Sequence, residues 1–97
     1  MGKAFLVRYD KRIFNHNLIL EVKIWAVEKS NDNPIGFKYS LVCIKQNSEK
    51  MVLFDNHNPK GPHFHIGKKE FRYNFVSIEK LIEDFREEVY KEFGAKI

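Results

Sequence analysis

A single stretch of the chain spaces its apolar residues for a helix. In IEKLIEDFREEVYKEF (Ile78–Phe93), Ile78, Leu81, Ile82, Phe85, Val89 and Phe93 each lie three or four residues from another of the set and share one face. Ser77 just before it offers a hydroxyl for the N-cap, and Gly94 just after it suits the left-handed turn of a C-cap. Everything before Ser77 must then be strands and turns, because its apolar residues alternate or run in short β-branched and aromatic blocks. A lone helix can bury its apolar stripe only against a sheet face. The pattern therefore predicts an α+β fold: an antiparallel meandering sheet with one C-terminal amphipathic helix packed on a face.

The strand signals come in chain order. AFLVRY (4–9) reads as a first strand and NLILEVKIWAV (17–27) as a longer second one. SNDNP (30–34) is turn chemistry, after which IGFKYSLVCIKQ places Phe37, Tyr39, Leu41 and Cys43 on one face. QNSEK turns the chain back into KMVLFDN, so residues 36–56 form a hairpin that delivers Asp55 and Asn56 at a strand end. KEFRYNF (69–75) alternates, which predicts Phe71, Tyr73 and Phe75 inward and Arg72 and Asn74 outward. Cys43, the one cysteine, is expected to be a buried hydrophobe.

Length and composition bound the function. Ninety-seven residues suit one domain, 1–97, and 43% hydrophobic with 14% aromatic residues is enough for a packed core. No apolar run approaches the roughly 20 residues of a membrane span, and the N-terminal residues lack the pattern of a signal peptide, so a cytoplasmic location is expected. Residues 1–76 hold thirteen Lys/Arg against seven Asp/Glu, whereas residues 77–97 hold four against six. A basic body attracts phosphate backbones or acidic protein segments. The acidic outer face of the helix is most simply a solvated one.

The chemistry concentrates in DNHNPKGPHFHI (55–66), which holds three of the four histidines. Alternation puts His63 and His65 on one side of a strand and Phe64 and Ile66 on the other, so burying the latter turns both imidazoles toward solvent or a cleft. Two residues along a strand advance roughly 7 Å, a spacing at which two imidazoles can grip opposite sides of a phosphate. Histidine, with its unperturbed pKa near 6.5, can give or take a proton at neutral pH. Lys60 can neutralise charge developing on phosphorus, Gly61 lets backbone N–H groups approach an anion, and Asp55 can orient an imidazole. Asn56 can fix the loop, and His57 lies in the NHNPK turn. The same segment admits two other readings: ordinary loop residues, or a divalent metal site built from His57, His63, His65 and Asp55.

KYSL (38–41), the strand ending FDN (54–56), KGPHFHI (60–66), and YNF followed by a helix with IEDF (82–85) together resemble the TumE-like family of small prokaryotic toxins, over nearly the whole chain. Phe54 stands where that family leads one to expect tyrosine. The resemblance implies the toxin of a type II toxin–antitoxin pair, with a cognate antitoxin that is commonly a helix-turn-helix protein. With the residue chemistry, it leads to an expected endoribonuclease that needs no metal or other cofactor, with His63, His65, Lys60 and Asp55 catalytic. Arg8, Asn56, His57, Gly61 and Arg72 are the expected substrate-binding residues, RNA is the expected substrate, and a homodimer is allowed. The competing readings are a metal-dependent phosphodiesterase or nuclease and a non-catalytic module that binds nucleic acid or protein.

Overall fold

A computed structural model describes residues 3–14, 17–57 and 60–97. Six strands follow one another as an antiparallel meander: β1 (Ala4–Phe14), β2 (Leu18–Val27), β3 (Phe37–Lys45), β4 (Met51–Asp55), β5 (His63–Ile66) and β6 (Lys69–Arg72). The helix α1 (Ile78–Phe93) then packs on one face of this sheet. The expected α+β architecture is the observed one.

The helix ends where its caps say it should. Ser77 Oγ accepts from the Lys80 N–H at 3.0 Å, and Gly94, at φ 69°, donates its N–H to the Tyr90 carbonyl at 2.8 Å. Its buried residues Leu81, Phe85 and Val89 meet Leu20, Val22 and Ile24 of β2, Tyr39, Leu41 and Cys43 of β3, and Val52 and Phe54 of β4. These sheet residues alternate in sequence, so each strand turns its other face away from the helix. Cys43 is fully buried, and burial pushes its thiol up to about 11.

Two details depart from the sequence pattern. The first strand runs on to Phe14, because Asp10–Phe14 complete their pairing with Val22–Leu18 of β2 even though DKRIF is a poor strand former. The last strand stops at Arg72, so the alternation through Phe75 is not a strand; Tyr73 and Phe75 still pack on the core. Tyr73 Oη donates to Asp84 Oδ2 at 2.6 Å, tying this segment to α1, while the Tyr73 N–H still donates to the Pro62 carbonyl beside β5. Phe71 was expected inward and is 43% exposed. It belongs to the helix-side row Phe54, Phe64, Phe71, and stacks on Phe64 at 4.9 Å, but α1 lies over β4 and leaves this end of the row uncovered.

Candidate functional site

The site forms on the face of the sheet opposite α1. Register places Lys23, Ser40, Asp55, His63 and Arg72 directly opposite one another on successive strands β2 to β6. The next row on the same face runs Glu21, Val42, Leu53, His65, Glu70. Directly opposed residues point to the same side, so the meander assembles polar groups that are far apart in sequence.

His63 is held from both sides. Its Nδ1 lies 2.7 Å from the Gly61 carbonyl oxygen and its Nε2 lies 2.8 Å from Asp55 Oδ1. With Nδ1–H donating to the carbonyl, the second contact becomes favourable when Nε2 also carries a proton, forming an ion pair with the carboxylate. Among the described residues, Asp55 Oδ1 is buried and has no aligned hydrogen-bond donor, so His63 Nε2 is its polar neighbour. Gly61 makes the contact possible by adopting φ 73°, a left-handed conformation that aims its carbonyl back at the ring. His63 is therefore 7% exposed, so of the two outcomes that alternation allowed, solvent or a cleft, it is not solvent.

His65 is the more open of the pair. Its ring stands 5.0 Å from that of His63, nearly perpendicular at 79°. Its Nε2 lies 3.3 Å from Glu70 Oε1, and the same oxygen accepts from Lys60 Nζ at 2.7 Å. The Lys60 hydrogen bond, ahead of its charge, holds the Glu70 carboxyl below its ordinary range. Ligand atoms of His63, His65 and Glu70 all lie within 4.8 Å of one another, close enough to converge on one small ion or group.

Glu70 is the residue that sequence reading missed. Gly67 and Lys68 form a two-residue turn between Ile66 and Lys69, with Gly67 at φ 59°. That turn sets Ile66 opposite Lys69, and hence His65 opposite Glu70 and His63 opposite Arg72. The glycine in IGKK was the available signal.

The other expected site residues divide. Asp55, Lys60, Gly61, His63, His65 and Arg72 come together. Asn56 is 8% exposed, and its amide is committed to structure: Oδ1 accepts from the Tyr39 N–H at 3.0 Å and Nδ2 donates to the Phe37 carbonyl at 2.7 Å, continuing the β3–β4 pairing by side chain. His57 is exposed beside Asp55, and the turn expected there includes Asn58 and Pro59, which lie outside the described residues. Arg8 is not near the histidines. It lies on β1, on the helix side of the sheet, 3.5 Å from Asp10, and four strands from β5, roughly 19 Å at ordinary strand spacing. Among the described residues the buried Tyr39 hydroxyl has no hydrogen-bond partner, and burial, followed by the charge of Asp55, raises its pKa well above the usual phenol range.

Fold and site together define a small β-meander protein with a histidine–carboxylate constellation on its open sheet face. The chain matches the family model described as Toxin TumE over residues 3–93 and belongs to that toxin family. No curated protein and no solved structure matches it. Among the described residues, no helix is long and apolar enough to cross a membrane.

Proposed function

We propose that this toxin, paired with a cognate helix-turn-helix antitoxin in a type II system, is an endoribonuclease of the cytoplasm that cleaves RNA without a metal. The observation that carries the reading is the pair of imidazoles 5.0 Å apart on one sheet face, each beside a different carboxylate. His65 removes the proton from a ribose 2′-OH, whose oxygen attacks the adjacent phosphorus. His63 protonates the departing 5′ oxygen, leaving a 2′,3′-cyclic phosphate and a free 5′-OH. The division of roles follows from the partners. His63 Nε2 lies 2.8 Å from Asp55 Oδ1, whereas His65 Nε2 lies 3.3 Å from Glu70 Oε1, which Lys60 also engages, so His65 is the less tightly held and more open of the two. Arg72, opposite His63, and Lys60 supply positive charge toward the phosphorane, with Gly61 and His57 bordering the substrate.

The direct experiment is incubation of purified protein with total RNA, with and without chelator, comparing the unchanged chain with His65→Ala. Cleavage that resists chelator and is lost in the variant is the expected result; equal cleavage by both proteins sinks the mechanism. A metal-dependent phosphodiesterase is the second reading, favoured by the convergence of His63, His65 and Glu70. Two imidazoles and a carboxylate form a donor set suited to zinc and similar ions. That reading predicts activity lost on chelation and restored by added ion.

A further inference from the structure

Trp25 is the only tryptophan in the chain and is 39% exposed on the face opposite α1. An indole that contributes nothing to the core has its large apolar surface available for something else. It lies in a groove of about 220 Å³ lined also by Lys23, Lys38, Ser40, Asp55 and His57. Lys38 sits directly opposite Trp25, and Lys23 sits opposite Ser40. Lys23 has only a loose ion pair, 3.7 Å from Glu21, so its charge is largely free for an incoming anion. Asp55 forms one end of the groove and at the same time lies 2.8 Å from the His63 ring. The groove is thus continuous with the histidine site.

We propose that this groove is a nucleotide subsite: a base of single-stranded RNA stacks on Trp25, and its phosphates lie toward Lys38 and Lys23. The inference rests on the reading of the protein as an RNA-cleaving toxin and names where the strand flanking the scissile phosphate runs. An aromatic platform beside cations suits a single strand, because every base has a face to stack and the backbone charge is regular. A duplex would hide its bases from the indole.

The test uses a short 2′-O-methylated oligoribonucleotide, which has no free 2′-OH and cannot be cleaved. Because Trp25 is the only tryptophan, tryptophan emission, excited where the tyrosines do not absorb, reports this groove alone. Saturable quenching that weakens with salt is expected. By anisotropy of a labelled oligonucleotide, Trp25→Ala should bind about 5- to 150-fold more weakly, the worth of one stacked base, while Trp25→Phe keeps most of the affinity. Lys38→Glu should also weaken binding and flatten its salt dependence. Circular dichroism must match the unchanged protein in each variant. An oligonucleotide that binds with no fluorescence change, and equally well to Trp25→Ala, overturns the subsite while leaving cleavage intact. Quenching by a poly-glutamate peptide but not by the oligonucleotide overturns it too, and makes the groove a protein contact. Quenching and weakened variant binding in a protein that cuts no RNA would support the subsite and remove the catalytic reading instead.

Discussion

The two edges of the sheet could hardly be less alike. β1 offers eleven residues of open edge and leaves Phe5, Leu6, Val7, Tyr9 and Ile13 at least half exposed. β6 offers four residues, three of them charged: Lys69, Glu70 and Arg72. A long apolar edge invites another strand, while a short charged one discourages it. The contrast teaches where the molecule keeps its chemistry. The long strands β2 and β3 carry much of the core, and β1 extends the sheet beyond it. At the other end, short strands and a two-residue turn bring Asp55, His63, His65 and Glu70 within reach of each other, with only modest burial to hold them. The β6 end holds the proposed site, and the β1 end offers the open edge.

The largest effect that can break this comparison is on turnover. His65→Ala should lower the rate of RNA cleavage by about 10²- to 10⁴-fold, the usual worth of a positioned proton transfer, with the thermal midpoint little changed. His63→Ala should lose as much activity and also some stability, because it takes away the ring nitrogen 2.8 Å from the buried Asp55 Oδ1. Ile13→Ser at the opposite edge should leave turnover unchanged. A rate loss in that variant comparable to the histidine variants would mean that the two edges are not separate. The rate should also fall on both sides of an optimum, since one imidazole must be neutral and the other protonated.

How far this arrangement could be read from residues alone depended on whether the cause was local. The helix was legible to its ends because Ser77 and Gly94 are side-chain and backbone signals within one turn of it. The shared face of His63 and His65 was legible because strand alternation is local too. The burial of His63 was not, since it depends on a carbonyl turned by a positive φ at Gly61 and on a carboxylate from another strand. Glu70 needed the register set at Gly67–Lys68, and the extension of β1 through Phe14 needed the pairing offered by β2. Trp25 read simply as a good strand former; only the uncovered sheet face shows it as a surface feature.

Between the edges, the middle of the sheet should answer to alkali rather than to substrate. Cys43 is fully buried and its thiol is pushed up to about 11 from an ordinary 9.0. In the unfolded chain the thiol begins to ionise near pH 9, while the folded state holds its proton until about 11. Stability is therefore fully present below pH 9 and is lost progressively as pH rises toward 11, on the order of a hundredfold in the folding equilibrium. Urea midpoints at pH 8 and pH 10.5 measure it, against Cys43→Ala, whose alkaline decline should be shallower. Alkylation of the native thiol at pH 8 would contradict the burial on which this rests.

A smaller effect is expected at the apolar edge itself. If two copies pair antiparallel along β1 about Tyr9, Arg8 faces Asp10 of the second copy on the helix side of the sheet, so the edge is complementary to itself in charge. Sedimentation should show a dimer for the unchanged chain. Asp10→Arg should weaken it about tenfold by opposing like charges twice across the two-fold axis, and adding Arg8→Asp should restore it. A monomer at high concentration would leave β1 to another partner and remove the self-pairing.

The smallest effect is the one that most sharpens the view of the β6 edge: chelator should change the cleavage rate less than about twofold. A catalytic ion supplies several kcal/mol of charge stabilisation, so removing one could not pass unnoticed. The geometry gives the expectation its direction. For His63, His65 and Glu70 to converge on an ion, the Glu70 carboxylate would share its charge between that ion and Lys60, whose ammonium lies 2.7 Å from Oε1. Lys60→Met separates the alternatives. It removes a competitor for Glu70, so under the metal reading it should strengthen ion binding and preserve or raise activity. Under the acid–base reading it removes charge from the phosphate and leaves the charge of Glu70 to His65 alone, so activity should fall whether or not an ion is added.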